Sequence, residues 1–557
     1  MSSPVNSHAN SLLKRSRALP LSLFIASVLA PQATFSSQTQ APTVASETKA
    51  PATVQTSASA PTTLSENAMS VAEYAVATYQ KDMVDSLTQL VSFNTQAVEG
   101  QTPDTNPAFV DFKASLKELS QTLGLDYADH GYVLLIGLDA NVLTKDMKKL
   151  GIVTHGDVQP ANPALWAKSP YELDTTSEPG KLIGRGTEDD KGAIVTAMYA
   201  MKAIKDKQIP LDRRIELVVY LAEESDWAPL KAFLKDYTPA QINITIDAEY
   251  PVVTAEKGWS KISFTVPKMM PNNDDLANTQ APILTSFFGG YFASQVPQQA
   301  EAQIVGSTPA LLASLKSKAA AQKGMSYRFE NQCDTQPCHL HIFADGKAAH
   351  SSTPEDGVNA VTHLAALLAN EPWPKTNAAM TMTAMNELVG LGLYAEQFGE
   401  IAYSDSFMGP MTLSPTVVAE TDKGTEVTIN LRRPVGKTPA LLSSQTLDAL
   451  NAWQSKHQIS LNDVTSYWGE PMVMKDAPHQ QTLLDVFAHY TQIPDPKPIA
   501  IGGSTNSKLF PNALSFGPAM PGAEYTGHTE KEFITLEQFM LNLKMYTAAF
   551  IELSAKR

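Results

Sequence analysis

The 557-residue chain has 57 acidic residues against 42 Lys and Arg, a formal net charge of −15, with 43% hydrophobic and 18% charged residues. That length exceeds one ordinary core, so two or more domains are expected, and the composition is globular rather than fibrous or largely disordered. The negative charge argues against nucleic acid or an anionic membrane surface as a partner.

Lys14, Arg15 and Arg17 precede ALPLSLFIASVLA (18–30), a run with the length of a signal-peptide core and too short to span a bilayer. Small residues follow, so residues 1–35 read as an export signal, with an uncleaved interfacial anchor as the alternative. No later segment has the ~20 uninterrupted apolar residues of a spanning helix, so the mature protein is expected in the periplasm or medium without stable membrane association. Residues 36–69, rich in Ser, Thr, Ala, Pro and Gln, read as a linker that cannot build a core.

Helical spacing of apolar residues begins in SVAEYAVATYQKDMVDSLTQLVSF (70–93). From 130 to 256 strand-like runs alternate with helical ones: GYVLLIGL, LGIVTHGD, RIELVVYLAEES and INITIDAEY, with KGAIVTAMYAMKAIKDK and APLKAFLKDY between them. Such alternation predicts an α/β domain with a mostly parallel sheet. The texture changes near 257, where KISFTV, HLHIFADG and GTEVTINLRRP join alanine-rich helical stretches. It returns to βα near 471 with QTLLDVFAHYTQ, ALSFGPA and a last helix opened by Thr535 and Gln538 as a capping box. The reading is therefore an α/β domain in two parts, 70–256 and 471–557, interrupted by an α+β lid over 257–470.

The two cysteines, Cys333 and Cys338, lie in NQCDTQPCHLHI. A close pair in an exported chain reads as a disulfide. His339 and His341 follow at once, so a small metal site is the alternative.

LIGRGTEDDKGAIV (182–195) has the glycines of a phosphate loop, yet Glu188, Asp189 and Asp190 stand where the anion would sit. Other strand ends explain these acids. Functional groups in open α/β sheets collect at the carboxyl edge, and there the chain places His155 and Asp157, Glu223 and Glu224, and Asp247, with His528 ahead of the last helix. Carboxylates and imidazoles converging on one edge repel unless cations lie among them, and the mixed N/O set suits zinc, manganese or cobalt better than calcium. A glycine turn lets one carboxylate bridge two ions about 3.5–4 Å apart.

THGDVQP, GKLIGRGTEDDKG, LAEES, DAEYPVVTAEKG, GKAAHSSTPEDGVNA, NLRRP and GHTEKE together resemble the M20 metallopeptidases, in particular their PepV-like and carnosinase-like dipeptidase branch. The resemblance spans roughly 70–555. It implies that His155 and Asp247 bind one Zn2+, Mn2+ or Co2+ ion, Glu224 and His528 a second, and that Asp189 bridges them. It also implies that Asp157 orients His155, that Glu223 is the general base toward a water held between the ions, and that His350 reaches over from the lid to the oxyanion. Arg432 would contact the substrate, with Arg433 as the neighbour to be distinguished from it. The implied activity is hydrolysis of Xaa–Xaa dipeptides, with a deacylase or carboxypeptidase of the same family, or a non-catalytic peptide binder, as alternatives. The long insert implies a monomer whose lid serves its own site. IGGSTNSKLFPN (501–512) departs from the Gly-Gly-Thr-Tyr-like loop usual in the dipeptidases.

Overall fold

A computed structural model describes residues 64–140, 148–270, 281–334 and 337–556, so the expected export signal and residues 36–63 of the linker lie outside the described residues. The first described helix starts a little before the helical spacing suggested. Ser65 caps helix α1 (Glu66–Val91) by accepting the Ala68 N–H, a cap concealed in the Ser/Thr-rich tail.

The first sheet has nine strands: β1 (Asp126–Asp129), β2 (Val133–Leu138), β3 (Lys149–His155), β4 (Arg214–Tyr220), β5 (Ile242–Thr245), β6 (Val253–Glu256), β7 (Met472–Val473), β8 (Ile499–Ile501) and β9 (Ala513–Ser515). Their spatial order is β1-β2-β4-β3-β5-β9-β6-β7, with β8 also on β6. The centre, β4-β3-β5-β9, is parallel. Both flanks are antiparallel, β1 and β2 on one side and β6 and β7 on the other.

Alternation along the central strands explains why both faces are covered. On β4, Ile215, Leu217 and Val219 enter one core while Val218 and Tyr220 enter the other. The larger core lies under α1, α2 (Lys191–Asp206) and α3 (Leu536–Ser554). Thr535 caps α3 through the Gln538 N–H, but the Gln538 amide turns to Pro518 O and Asn542, so the reciprocal half of the expected box is absent. APLKAFLKDY yields helix only over Ala228–Phe233.

The chain leaves the first sheet at Glu256 and starts the second at Gly258. This second sheet is antiparallel, with eight strands in the order Ser326–Gln332, His339–Asp345, Gln299–Val305, Ile283–Gly289, Thr412–Thr421, Gly424–Arg433, Gly258–Pro267 and Asn462–Trp468. It packs its own core, which includes Phe264, Phe287, Leu364, Met385 and Trp453. Cys333 and Cys338 are joined as a disulfide at the hairpin of its edge strand. His341 pairs with Glu301 at 2.8 Å, so the alternative of a Cys/His metal site is not what these residues form. Among the described residues no helix is long and apolar enough to cross a membrane.

Candidate metal centre

His155 is the last residue of β3, Glu223 and Glu224 follow β4, and Asp247 follows β5. Three parallel neighbours thus deliver their functional groups to one edge. Asp189 arrives on the glycine loop before α2, and His528 on the loop before α3.

These side chains meet as two triads that share one residue. His155 Nε2 lies 2.8 Å from Asp189 Oδ1 and 3.6 Å from Asp247 Oδ1. His528 Nε2 lies 3.0 Å from Asp189 Oδ2 and 2.8 Å from Glu224 Oε1. Within each triad the candidate ligand atoms are all within 4.8 Å of one another. The two oxygens of Asp189 therefore face different triads, which is the arrangement a bridging carboxylate requires.

The electrostatics of the bare cluster call for cations. Burial raises the Asp247 pKa to about 6, its imidazole neighbour working against the rise. Burial alone would strip charge from His155 and His528, yet the surrounding carboxylates hold both well above the ordinary imidazole range. The carboxylates of the cluster thus draw protons onto both imidazoles. A donor set of two imidazoles and three carboxylates fits divalent transition ions and zinc.

Burial, reinforced by Asp247, pushes Glu223 well above the usual carboxylate range, and its Oε1 is buried with no hydrogen-bond partner among the described residues. Glu223 belongs to neither triad. Asp157 holds both glutamates in place, its carboxylate accepting the N–H groups of Glu223 and Glu224, each at 3.0 Å. The His155 ring is oriented differently from expectation. Its Nδ1 is 3.0 Å from the main-chain oxygen of Asp157 and 3.5 Å from the carboxylate, because that carboxylate is committed to the two backbone donors.

The glycine loop does hold an anion, and the anion belongs to the chain. Glu532 Oε1 accepts the N–H groups of Gly186, Glu188 and Asp189 at 2.9, 3.0 and 3.1 Å, while Arg185 Nη1 holds Oε2 at 2.8 Å. Gly186 sits at φ +88°, and a Cβ on Gly192 would lie 2.2 Å from the Thr187 carbonyl oxygen, so glycine is required at both. Glu188 turns away from the triads to accept from Thr526 and Gly527. Asp190 accepts from the Thr154 hydroxyl. His528 itself is in the left-handed region at φ 64°, a conformation that side chains beyond glycine hold only where the surroundings impose it.

The insert supplies the rest. His350, on a two-residue strand paired with Gln295–Val296, brings its ring to 5.5 Å from that of His528, centroid to centroid. The Ser352 N–H donates to His350 Nδ1 at 3.3 Å, which leaves the ring proton on Nε2. Burial, with Arg432 adding, keeps this imidazole well below its usual pKa and therefore neutral. Arg432 and Arg433 separate as strand neighbours do. Arg433 binds Gly469 O, Lys437 O and Glu470. Arg432 is buried, its pKa lowered by burial to about 10 against the pull of Glu256 and Glu223. Lys508, in the divergent 501–512 loop, feels the same two carboxylates. That loop is anchored by Thr505 and Ser507 on Glu256, and it leaves Asn506 Nδ2 buried without a hydrogen-bond partner among the described residues.

Tyr525, Gln159, Glu532 and Lys508 are functional neighbours that sequence reasoning missed. Tyr525 donates to Asp189 Oδ2 at 2.6 Å, and Gln159 donates to Glu224 Oε2 at 2.9 Å. Gln159 and Glu532 lie within THGDVQP and GHTEKE, so motif membership was their only signal.

Residues 151–552 match the model of peptidase family M20/M25/M40, and the chain belongs to that family. It is a metallopeptidase by class. It is 28% identical over 416 residues to a Beta-Ala-Xaa dipeptidase of Lactobacillus delbrueckii subsp. lactis, covering 73% of this chain and 82% of the relative. It is 27% identical over 410 residues to a putative dipeptidase of Bacillus subtilis (strain 168), covering 73% and 83%. In fold it is similar to human carnosine dipeptidase 1, with a TM-score of 0.52 at 16% identity over 87% of this chain and 99% of that one. The di-peptidase Dug1p from Saccharomyces cerevisiae gives the same TM-score, 0.52, at 13% identity over 87% and 98%.

Proposed function

We propose that the protein is an exported, two-metal dipeptidase that hydrolyses the single peptide bond of Xaa–Xaa substrates. The observation that carries this reading is the carboxylate of Asp189, shared between two complete triads, with Glu223 beside them and outside both. His155, Asp189 and Asp247 would hold one divalent ion, and Asp189, Glu224 and His528 the other, with zinc, manganese or cobalt as candidates. Ions there would polarise the scissile carbonyl and lower the pKa of the attacking water.

The chain's own groups then have distinct tasks. Glu223, raised in pKa by burial and by Asp247, takes the proton of the attacking water and delivers it to the departing amine. His350 donates from Nε2 to the oxygen on which negative charge develops. Arg432 is a buried cation bonded to Asn430 Oδ1 and Lys508 a half-buried one bonded to Ser504, and neither makes an ion pair among the described residues. They and the unpartnered Asn506 amide suit the free carboxylate at the substrate's C-terminus. Supplying His350 from its own insert suits a monomer. The disulfide and the basic-then-apolar segment at 14–30 support export to the periplasm or medium.

The test is a panel of dipeptides, N-acyl amino acids and longer peptides, assayed with metal content determined on the same sample. Two ions per chain with dipeptides as the best substrates supports the reading. Preferred cleavage of N-acyl amino acids makes the protein a deacylase on the same site, and preferred cleavage of longer peptides makes it a carboxypeptidase. No hydrolysis by the metal-loaded protein leaves a peptide binder.

A further inference from the structure

Beside the two triads lies a cavity of about 190 Å3 that none of the roles above uses. One end is formed by His350 and His528. Pro160, Ala161, Phe292 and Ala349 make its walls, so its surface is largely apolar. Phe292 comes from the loop of the insert that precedes the strand partner of His350, and it is 44% exposed. A large aromatic left open at the mouth of a site, rather than packed into the insert's core, lacks the apolar partner its surface calls for.

We propose that this cavity is the subsite for the N-terminal residue of the dipeptide and that it selects apolar side chains up to phenyl size. The proposal rests on the dipeptidase reading and adds a substrate class to it. Size supports it: an apolar cavity of about 150 Å3 accepts benzene, so 190 Å3 accommodates a phenylalanine ring or a leucine side chain.

Charge assigns the end of the substrate. Arg432 and Lys508, suited to the C-terminal carboxylate, face Glu223 and Glu256 and do not line this cavity. Glu530 does line it and makes no ion pair among the described residues, so a carboxylate is available for an N-terminal ammonium. With the scissile carbonyl between the triads and His350, the C-terminal residue extends toward the cations and the N-terminal side chain toward Phe292.

The test compares Phe–Gly, Gly–Phe and Gly–Gly with the metal-loaded enzyme. The wild type is expected to favour Phe–Gly over Gly–Gly in kcat/KM by about ten-fold or more, the scale of burying one aromatic side chain. Phe292→Ala, which removes a wall, and Ala161→Phe, which fills the cavity, should each collapse that ratio. The Gly–Phe to Gly–Gly ratio should stay. Tyr291→Ala, an exposed neighbour outside the lining, should keep all three ratios. A second readout needs no metal and no catalysis. Phenylalaninamide should bind the metal-free chain about ten-fold more tightly than glycinamide, an advantage lost in Phe292→Ala. A wild type indifferent to the N-terminal side chain, or two cavity variants that keep its preference, overturns the proposal. Collapse of the Gly–Phe ratio instead overturns the assignment of ends. An enzyme that cleaves no dipeptide sinks the dipeptidase reading alone, because amide binding still reports on the cavity.

Discussion

Glu532 holds the main-chain N–H of Asp189 at 3.1 Å across 343 residues of sequence, and the same oxygen takes the N–H groups of Gly186 and Glu188. The loop bearing the shared carboxylate is thus shaped around an internal anion contributed by the segment that bears His528. Glu532→Ala would leave Arg185, itself 2% exposed, buried without its partner, at a cost of about 3–5 kcal/mol. Glu532→Gln keeps an acceptor for the loop and should cost less. Denaturant unfolding of the metal-free proteins ranks the three, and equal stability of Glu532→Ala and wild type would refute this account.

Glu223 and Glu224 are adjacent yet differently placed. Glu224 lies 2.8 Å from His528 within a triad, whereas Glu223 is in neither triad. Glu223→Gln should keep both ions and lose about 10²–10⁴-fold in kcat with little change in KM. Glu224→Ala should lose an ion and regain part of its rate at high metal concentration. Metal analysis with steady-state kinetics on both proteins decides, and the reverse pattern would exchange the two roles.

Removal of the ions should abolish hydrolysis, and zinc, manganese or cobalt should restore it. Because Asp189 serves both triads, Asp189→Asn should weaken both sites, whereas Asp247→Asn should weaken one. Calorimetric titration of metal into the stripped proteins distinguishes these outcomes. Full activity of the stripped wild type would sink the two-ion reading.

His350→Ala removes a single donor and should lower kcat by about 10²–10³-fold. The rings of His350 and His528 approach within one chain. Mixing His350→Ala with Glu223→Gln protein should therefore recover no activity, and recovery on mixing would show that lids are exchanged between subunits.

A pH effect is expected at a buried histidine that belongs to neither triad. His479 donates from Nε2 to Asn243 O at 3.0 Å, its Nδ1 is buried without a partner among the described residues, and burial lowers its pKa to about 4. Between that value and an unfolded pKa of about 6.5 the unfolded chain binds a proton that the folded one refuses. Its contribution to stability is present above pH 6.5 and declines on acidification through that window. From pH 7.5 to 5 the loss attributable to this residue should be about 2 kcal/mol. His479→Gln should show a shallower decline than wild type in parallel unfolding series, which cancels the acid sensitivity of the metal sites. Parallel slopes would remove His479 from the explanation.

His155, Glu224 and Asp247 were legible in the sequence because each follows an apolar run whose direction sets where its end must go. Asp189 was read as the acid delivered by the glycine loop and its bridging role came with the resemblance, although a turn has no period to sort it from Asp190. The structure sends Asp190 to Thr154 instead. Tyr525 and Gln159 reach their acids across 336 and 65 residues, contacts that depend on how loops pack and leave no local pattern. Phe292 carries no mark that separates a cavity wall from a core aromatic. The parallel centre of the sheet was readable from alternation. Its antiparallel flanks were not, because β2 and β6 have the same apolar texture as their neighbours.

The order in which the ligands occur along the chain has a consequence for assembly. His155, Asp189 and Asp247 all precede the insert, so the first triad is fully encoded before any of residues 257–470. The second triad waits for His528, and the glycine loop waits for Glu532, both from the loop just ahead of the last strand and α3. A chain without His528 and Glu532 would keep the first triad and lose the second, along with the carboxylate that fills the glycine loop. The proposed two-ion site therefore closes only after the insert that carries His350 has been made.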